Sequence, residues 1–276
     1  MIVKKIYLDE NKKDVCLDAY LADSVPDYDY KRKAILVIPG GGYSRVCSDR
    51  EGEPIAMAFI PYGYQAFVLH YSVGRKEVFP SQLIEASLAM KHIRDNAEEY
   101  NIDPDSVFAV GFSAGGHLTA SLGTLWHLKE IYDAIDMPYG YNKPTGIMPI
   151  YPVISADADF GHLPSFYNLF GTDTPTQEQL DAASLEKHVD ERTSPAFLMH
   201  TSEDEIVPVE NSLVFAKAMA KAGLKFELHI YPEGQHGIAL SNSITSINVE
   251  GFQDKSVAKW VSAAAEWAER IVAENK

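Results

Sequence analysis

Only two cysteines, Cys16 and Cys47, occur among the 276 residues. That is too few for a disulfide framework, and their spacing is not that of a metal site, so both read as packing thiols. Basic residues are also scarce: 24 Lys and Arg stand against 39 Asp and Glu, a formal net charge of −15. So negative a surface, with no basic run to offset it, repels phosphate backbones. It excludes a nucleic-acid partner and disfavours highly anionic ligands, so a neutral small molecule fits better. No stretch is apolar over the roughly 20 residues needed to span a bilayer. The opening Met1-Ile2-Val3-Lys4-Lys5-Ile6 runs straight into Asp9, Glu10, Lys12 and Lys13, leaving no apolar core for a secretory signal. The expected location is therefore cytoplasmic, with no membrane partner, although a signal already cleaved would leave the same chain. There is no H-E-x-x-H segment and no Cys/His cluster, so neither a metal nor another cofactor is expected.

What is present is an ordinary globular composition, 46% hydrophobic and 23% charged, with no repeat, low-complexity tract or linker. A single domain over residues 1–276 is expected. Residues 2–8 and 15–22 read as a strand hairpin around a polar turn, and Tyr28 to Lys33 as a charged connection. Ala34 to Ile38 is an unbroken apolar run, the mark of a strand covered on both faces. A short helix is expected over Arg50 to Tyr62, a strand at Ala66 to Leu69 and a long amphipathic helix over Ser81 to Tyr100. A strand at Val107 to Val110 and a small-residue helix at Leu118 to Leu122 follow, then a polar loop and a strand at Gly146 to Tyr151. Ser155 to Ser194 breaks this rhythm. It is rich in Asp, Pro and Thr, with Phe160, Phe166, Tyr167 and Phe170 scattered through it, and reads as an inserted cap. Its aromatics either line a pocket or pin the insertion to the core. Alternation then resumes with a strand at Ala196 to His200, a helix ending at Gly223, a strand at Phe226 to Ile230 and a last helix over Lys255 to Asn275. The pattern is α/β: a mainly parallel central sheet with an antiparallel N-terminal hairpin, helices on both faces and a small cap.

In such sheets ligands bind beyond the carboxyl ends of the strands, where three loops carry chemistry. Gly111-Phe112-Ser113-Ala114-Gly115 is G-x-S-x-G between a strand and a helix, a turn that lifts a serine hydroxyl clear of the sheet. Ser113 is the candidate nucleophile. Its hydroxyl needs a base, and the base needs a carboxylate to set its tautomer. Of nine histidines, His236 lies on a late strand-to-helix loop between glycines and is the candidate base. His70, His92, His200 and His229 read as structural, and His117 as packing beneath the turn. The acid is sought in Glu203-Asp204-Glu205, where spacing alone leaves all three eligible. Pro39-Gly40-Gly41-Gly42 follows a buried strand and frees backbone N–H groups to face a ligand. Gly41, Gly42 and Ala114 are the candidate oxyanion donors.

With these residues in place, the chain resembles an α/β-hydrolase of the small carboxylesterase kind. More narrowly, it is similar to the lipase/esterase-like enzymes that deacetylate carbohydrates, such as acetyl xylan esterases and related acetyl and feruloyl esterases. The resemblance is carried by Ile38 to Ser44, Phe79-Pro80, Asn101 to Asp105, Gly111 to Leu118, His200 to Pro208 and Gly234 to Gly237. It implies Ser113 as nucleophile, His236 as base, Asp204 as acid by the H-G-x-x-D-x-x-V-P pattern, and Gly41, Gly42 and Ala114 as oxyanion donors. The chain departs from the pattern at Pro39, where hormone-sensitive-lipase-like esterases have His, and at Thr201, which replaces the Gly after His200. The expected function is hydrolysis of short acyl esters, acetyl foremost, of carbohydrates or other small alcohols through an acyl-enzyme. Competing readings are an amidase, formamidase or peptidase with the same residues, and a noncatalytic binding protein of this fold. A homodimer is compatible with the sequence but not defined by it.

Overall fold

The computed structural model describes residues 1–23, 30–246 and 252–274. Tyr28 and Asp29 of the expected connection and Asn275 of the expected last helix lie outside them. The leading hairpin is β1 (Ile2–Tyr7) paired antiparallel with β2 (Cys16–Leu21). The remaining strands are β3 (Arg32–Ile38), β4 (Tyr64–His70), β5 (Ile102–Phe112), β6 (Ile147–Ile150), β7 (Ala196–Thr201) and β8 (Phe226–Tyr231). They form one sheet in the order β1-β2-β4-β3-β5-β6-β7-β8, parallel from β4 to β8. Ala34 to Ile38 is fully buried, as a strand with layers on both faces must be. β8, at the edge of the sheet, is partly exposed along its whole length.

The helices are α1 (Ser48–Glu51), α2 (Glu53–Phe59), α3 (Ser81–Asp95), α4 (Ala114–Thr124), α5 (Lys129–Ala134), α6 (Leu163–Phe170), α7 (Gln177–Ala183), α8 (Glu210–Lys221) and α9 (Trp260–Glu274). One face of the sheet packs against α3, α4 and α8 through Leu83, Met90, Leu118, Leu122 and Phe215. The other takes α2 and α9 through Ile55, Phe59, Trp260, Trp267 and Ile271. Among the described residues no helix is long and apolar enough to cross a membrane.

Several boundaries differ from expectation for local reasons. The helix expected over Arg50 to Tyr62 is two short helices and a 3-10 turn, because Gly52 leaves helical geometry and Pro54 opens α2 in its first turn. α3 stops at Asp95, yet Ala97 and Tyr100 stay buried in the turns beyond it, so apolar periodicity overran the helix. β5 starts at Ile102, five residues early, with a register shift against β3 between Arg32 and Ala34 that absorbs Pro104. α5 was not expected at all. Between β6 and β7, where the sequence showed only irregular chain, stand α6, α7 and a 3-10 turn over Leu185–Lys187. Thr176 and Gln179 form a capping box at α7, a signal present in the sequence.

Candidate active site

Ser113 sits between β5 and α4 at φ 55 and ψ −120, a conformation that costs an ordinary residue about 1–3 kcal/mol. Neighbouring backbone holds it there. Its N–H donates to the Ile150 carbonyl at 3.1 Å, and its carbonyl accepts from the N–H groups of His117 at 3.0 Å and Val153 at 3.1 Å. The side chain therefore stands off the end of the sheet, 8% exposed. His236 Nε2 lies 2.8 Å from Ser113 Oγ, and His236 Nδ1 lies 2.7 Å from Asp204 Oδ2.

The loop after β7 decides which of the three consecutive carboxylates reaches the histidine. Asp204 points inward and is 5% exposed, whereas Glu203 and Glu205 are exposed. Asp204 Oδ1 accepts from the N–H groups of Ile206 at 3.0 Å and Val207 at 2.9 Å. Burial alone would raise this carboxyl's pKa. Hydrogen bonds from His200 and His236, with the Val207 amide, outweigh that and hold it well below the usual carboxylate range. His200 is 3.4 Å from Asp204 Oδ2 and is itself held by Ser212 Oγ at 2.8 Å and the Val207 carbonyl at 2.9 Å. Thr201, the departure from the family pattern, donates its hydroxyl to the Gly234 carbonyl at 2.7 Å and so ties the Asp204 loop to the His236 loop.

The glycine loop after β3 has every carbonyl engaged. Pro39 O accepts from the Tyr71 hydroxyl at 2.7 Å, Gly40 O from Cys47 N–H at 2.9 Å, Gly41 O from Ser44 N–H at 3.0 Å and Ser44 Oγ at 2.9 Å, and Gly42 O from Asn168 Nδ2 at 2.8 Å. In a trans peptide the N–H points opposite its carbonyl. Anchoring Gly40 O and Gly41 O therefore turns the N–H groups of Gly41 and Gly42 away from the 44–47 turn. Neither donates to any acceptor among the described residues, nor does Ala114 N–H at the first position of α4. The loop lies hard against the serine turn: a Cβ on Gly40 would stand 2.6 Å from the Phe112 carbonyl oxygen and 2.9 Å from Ser113 Cβ.

Two residues that bear on this geometry carried no sequence signal. Glu51, 2% exposed, accepts from Gly40 N–H at 2.8 Å through Oε2 and from the Tyr151 hydroxyl at 2.9 Å through Oε1. Beside Asp49, Arg50 and Glu53, a glutamate reads as one more solvated charge. Tyr151 in turn accepts from Ala239 N–H at 3.1 Å, and its ring centroid is 5.2 Å from that of His236.

Four further histidines behave as structural groups. His70 meets Asp18 at 2.7 Å, His92 meets the Tyr100 hydroxyl at 3.0 Å and His229 meets Glu227 at 3.2 Å. His117 accepts from the Tyr43 hydroxyl at 2.7 Å and donates to the Ala183 carbonyl at 2.8 Å, and complete burial pulls its pKa down to about 4. The aromatics of the 155–194 segment largely pin it to the body: Phe166 packs edge-on to His117 at 5.5 Å and Phe170 to Phe79 at 6.1 Å. Beside His236 and Asp204 opens a cavity of about 710 Å³ rimmed by Glu203, Glu205, Gln235 and Phe252. Its acidic rim favours an uncharged occupant over an anion. Among the described residues no group of three or more His, Cys, Asp and Glu side chains is placed to hold a metal ion.

A family model described as BD-FAE matches residues 17–219. Endo-1,4-beta-xylanase B of Butyrivibrio fibrisolvens is 40% identical over 219 residues, which take in 78% of this chain and 34% of that protein. The acetylxylan esterase of Xylanibacter ruminicola is 31% identical over 212 residues, 74% of this chain and 41% of that protein. The chain thus spans only about a third to two fifths of the length of these curated relatives. Among solved structures, an acetyl ester-xyloside bifunctional hydrolase from Caldicellulosiruptor lactoaceticus is 35% identical with a TM-score of 0.81, covering 97% of this chain and 96% of that one.

Proposed function

The chain belongs to the BD-FAE family and has the α/β-hydrolase fold, and from that premise we propose that it is a serine carboxylesterase removing short acyl groups, acetate foremost, from acetylated sugars. The observation that carries this is the series of hydrogen bonds from Ser113 Oγ to His236 Nε2 and from His236 Nδ1 to Asp204, with the backbone N–H groups of Gly41, Gly42 and Ala114 left without an acceptor among the described residues. Ser113 Oγ attacks the ester carbonyl as its proton passes to His236 Nε2, and Asp204 stabilises the imidazolium. The carbonyl oxygen, now negative, is received by the N–H groups of Gly41, Gly42 and Ala114. Collapse breaks the ester C–O bond, and His236 gives its proton to the departing alcohol. Water, deprotonated by the same imidazole, then attacks the acyl-enzyme to release the acid and restore Ser113.

The experiment is a panel of acyl esters of graded length, acetylated xylooligosaccharides and matched amides, run on the native enzyme and on Ser113→Ala. Acetyl esters should turn over fastest, and the variant should lose roughly a million-fold in kcat. Undiminished turnover by Ser113→Ala would sink the proposed nucleophile. A preference for long acyl chains would reject the deacetylase reading, and faster cleavage of amides the esterase reading.

A further inference from the structure

His162 stands in the turn that enters α6. Its Nδ1 is 2.8 Å from Ser165 Oγ, one turn into α6, which fixes the plane of the ring. Ser165 Oγ lies 3.8 Å from where a Cβ on Gly42 would be, and Asn168 of the same helix donates to the Gly42 carbonyl at 2.8 Å. The His162–Ser165 pair therefore overhangs the glycine loop. The imidazole also lies within range of the charges of His236 and Asp204. His162 Nε2 has no hydrogen-bond partner among the described residues, yet it is not sealed from solvent, although the side chain is half-buried. A ring held at one nitrogen and free at the other, beside the glycine loop, is poised to bond something that arrives with the substrate.

The geometry of ester cleavage says which part. The tetrahedral carbon carries Ser113 Oγ, the oxyanion toward Gly41, Gly42 and Ala114, the leaving oxygen toward His236 Nε2, and the acyl chain. A group beside the glycine loop and near His236 lies on the side of the alcohol, away from the acyl chain. Resting on the esterase reading, we propose that His162 reads the alcohol half of the substrate, its Nε2 hydrogen-bonding a hydroxyl next to the ester oxygen. Burial, and the nearby His236, depress its pKa and keep the ring neutral, so that it offers a donor or an acceptor rather than a charge. A hydroxyl can answer either. A sugar ester supplies such a hydroxyl, while an alkyl ester leaves the imidazole unanswered and is penalised accordingly.

The test compares kcat/KM for a monoacetylated xyloside bearing a free hydroxyl beside the ester with that for cyclohexyl acetate, a ring ester with none. In His162→Phe the xyloside-to-cyclohexyl ratio should fall about ten-fold, the worth of one hydrogen bond. In His162→Gln, whose amide reaches the place of Nε2, most of the ratio should return. Ser165→Ala, which frees the ring without removing it, should lower the ratio by a smaller factor, and it carries the test if the Phe variant fails to fold. A ratio that stays within two-fold (about 0.4 kcal/mol) in all three variants overturns the assignment, as does an equal loss on both esters. Wild-type enzyme that cleaves cyclohexyl acetate but not the xyloside keeps the esterase reading and removes this one. Wild-type enzyme inert on both removes the esterase reading itself.

Discussion

The Tyr151 hydroxyl donates to Glu51 across 100 residues of chain at 2.9 Å, and the other oxygen of that carboxylate holds Gly40 N–H at 2.8 Å. Because Tyr151 also accepts from Ala239 N–H, one buried chain of hydrogen bonds joins the glycine loop after β3, the end of β6 and the loop that carries His236. The proposed oxyanion donors and the proposed base are thereby set in one frame.

Tyr151→Phe removes the centre of that frame and leaves the Ala239 amide and one Glu51 oxygen unpaired in the interior. The expected cost is about 1–3 kcal/mol of stability, read from urea unfolding. The same variant should lower kcat on acetyl esters about ten-fold while KM moves little, because the loops lose registration before they lose substrate. Glu51→Gln should be milder, since an amide can still accept from Gly40 and donate to Tyr151. A stability loss with kcat intact in Tyr151→Phe would show that the brace serves the fold alone.

Two glycines separated by a single residue should respond differently to alanine. At Gly40 the new Cβ meets the Phe112 carbonyl at 2.6 Å and Ser113 Cβ at 2.9 Å, so the serine turn itself must move. Destabilisation of about 1–3 kcal/mol and loss of more than about a hundred-fold in kcat, of the order reported for one oxyanion donor, are expected. At Gly42 the nearest atom is Ser165 Oγ at 3.8 Å, so only the φ of +63° is strained. There the cost should be about 1 kcal/mol, with a smaller loss of turnover. Thermal melting and ester kinetics on the pair check this. Equal effects at both sites would contradict the close approach.

His117 makes stability fall with acid. Its folded pKa of about 4 lies below the ordinary value of 6.5, so the unfolded chain binds the extra proton first as pH drops. The contribution is therefore complete above about pH 6.5 and is lost progressively down to about pH 4, to a total of roughly 3 kcal/mol. In His117→Gln the urea midpoint should change less between pH 7 and pH 4.5 than in the native protein. An unchanged slope would place the acid sensitivity elsewhere. Asp204, with its pKa held low, adds a loss of its own only as pH falls through and below the ordinary carboxylate range.

Much of this molecule was legible in its sequence because the relevant physics is local. Ala34 to Ile38 announced a strand covered on both faces, and G-x-S-x-G after an apolar run announced the turn that holds Ser113 at positive φ. Less local features were missed or misjudged. The segment from 155 to 194 hid two helices because each is too short, eight residues in α6 and seven in α7, to show a long apolar period. Periodicity carried α3 past Asp95 because turns can bury Ala97 and Tyr100 as well as a helix can.

By itself the sequence determined the alternation of strands and helices, the loop on which each reactive group rides, and the order of those loops along the chain. Those follow from apolar periods, turn residues and the backbone tolerance of glycine, all expressed within a few residues. Only the tertiary structure decided that Asp204, and neither Glu203 nor Glu205, turns toward His236, that Glu51 and Tyr151 join the glycine loop to the His236 loop, and that His162 is held beside Gly42 through Ser165. These choices depend on which side chain faces inward when loops from β3, β5, β6, β7 and β8 meet. No short stretch of sequence records a hydrogen bond between residues 100 positions apart.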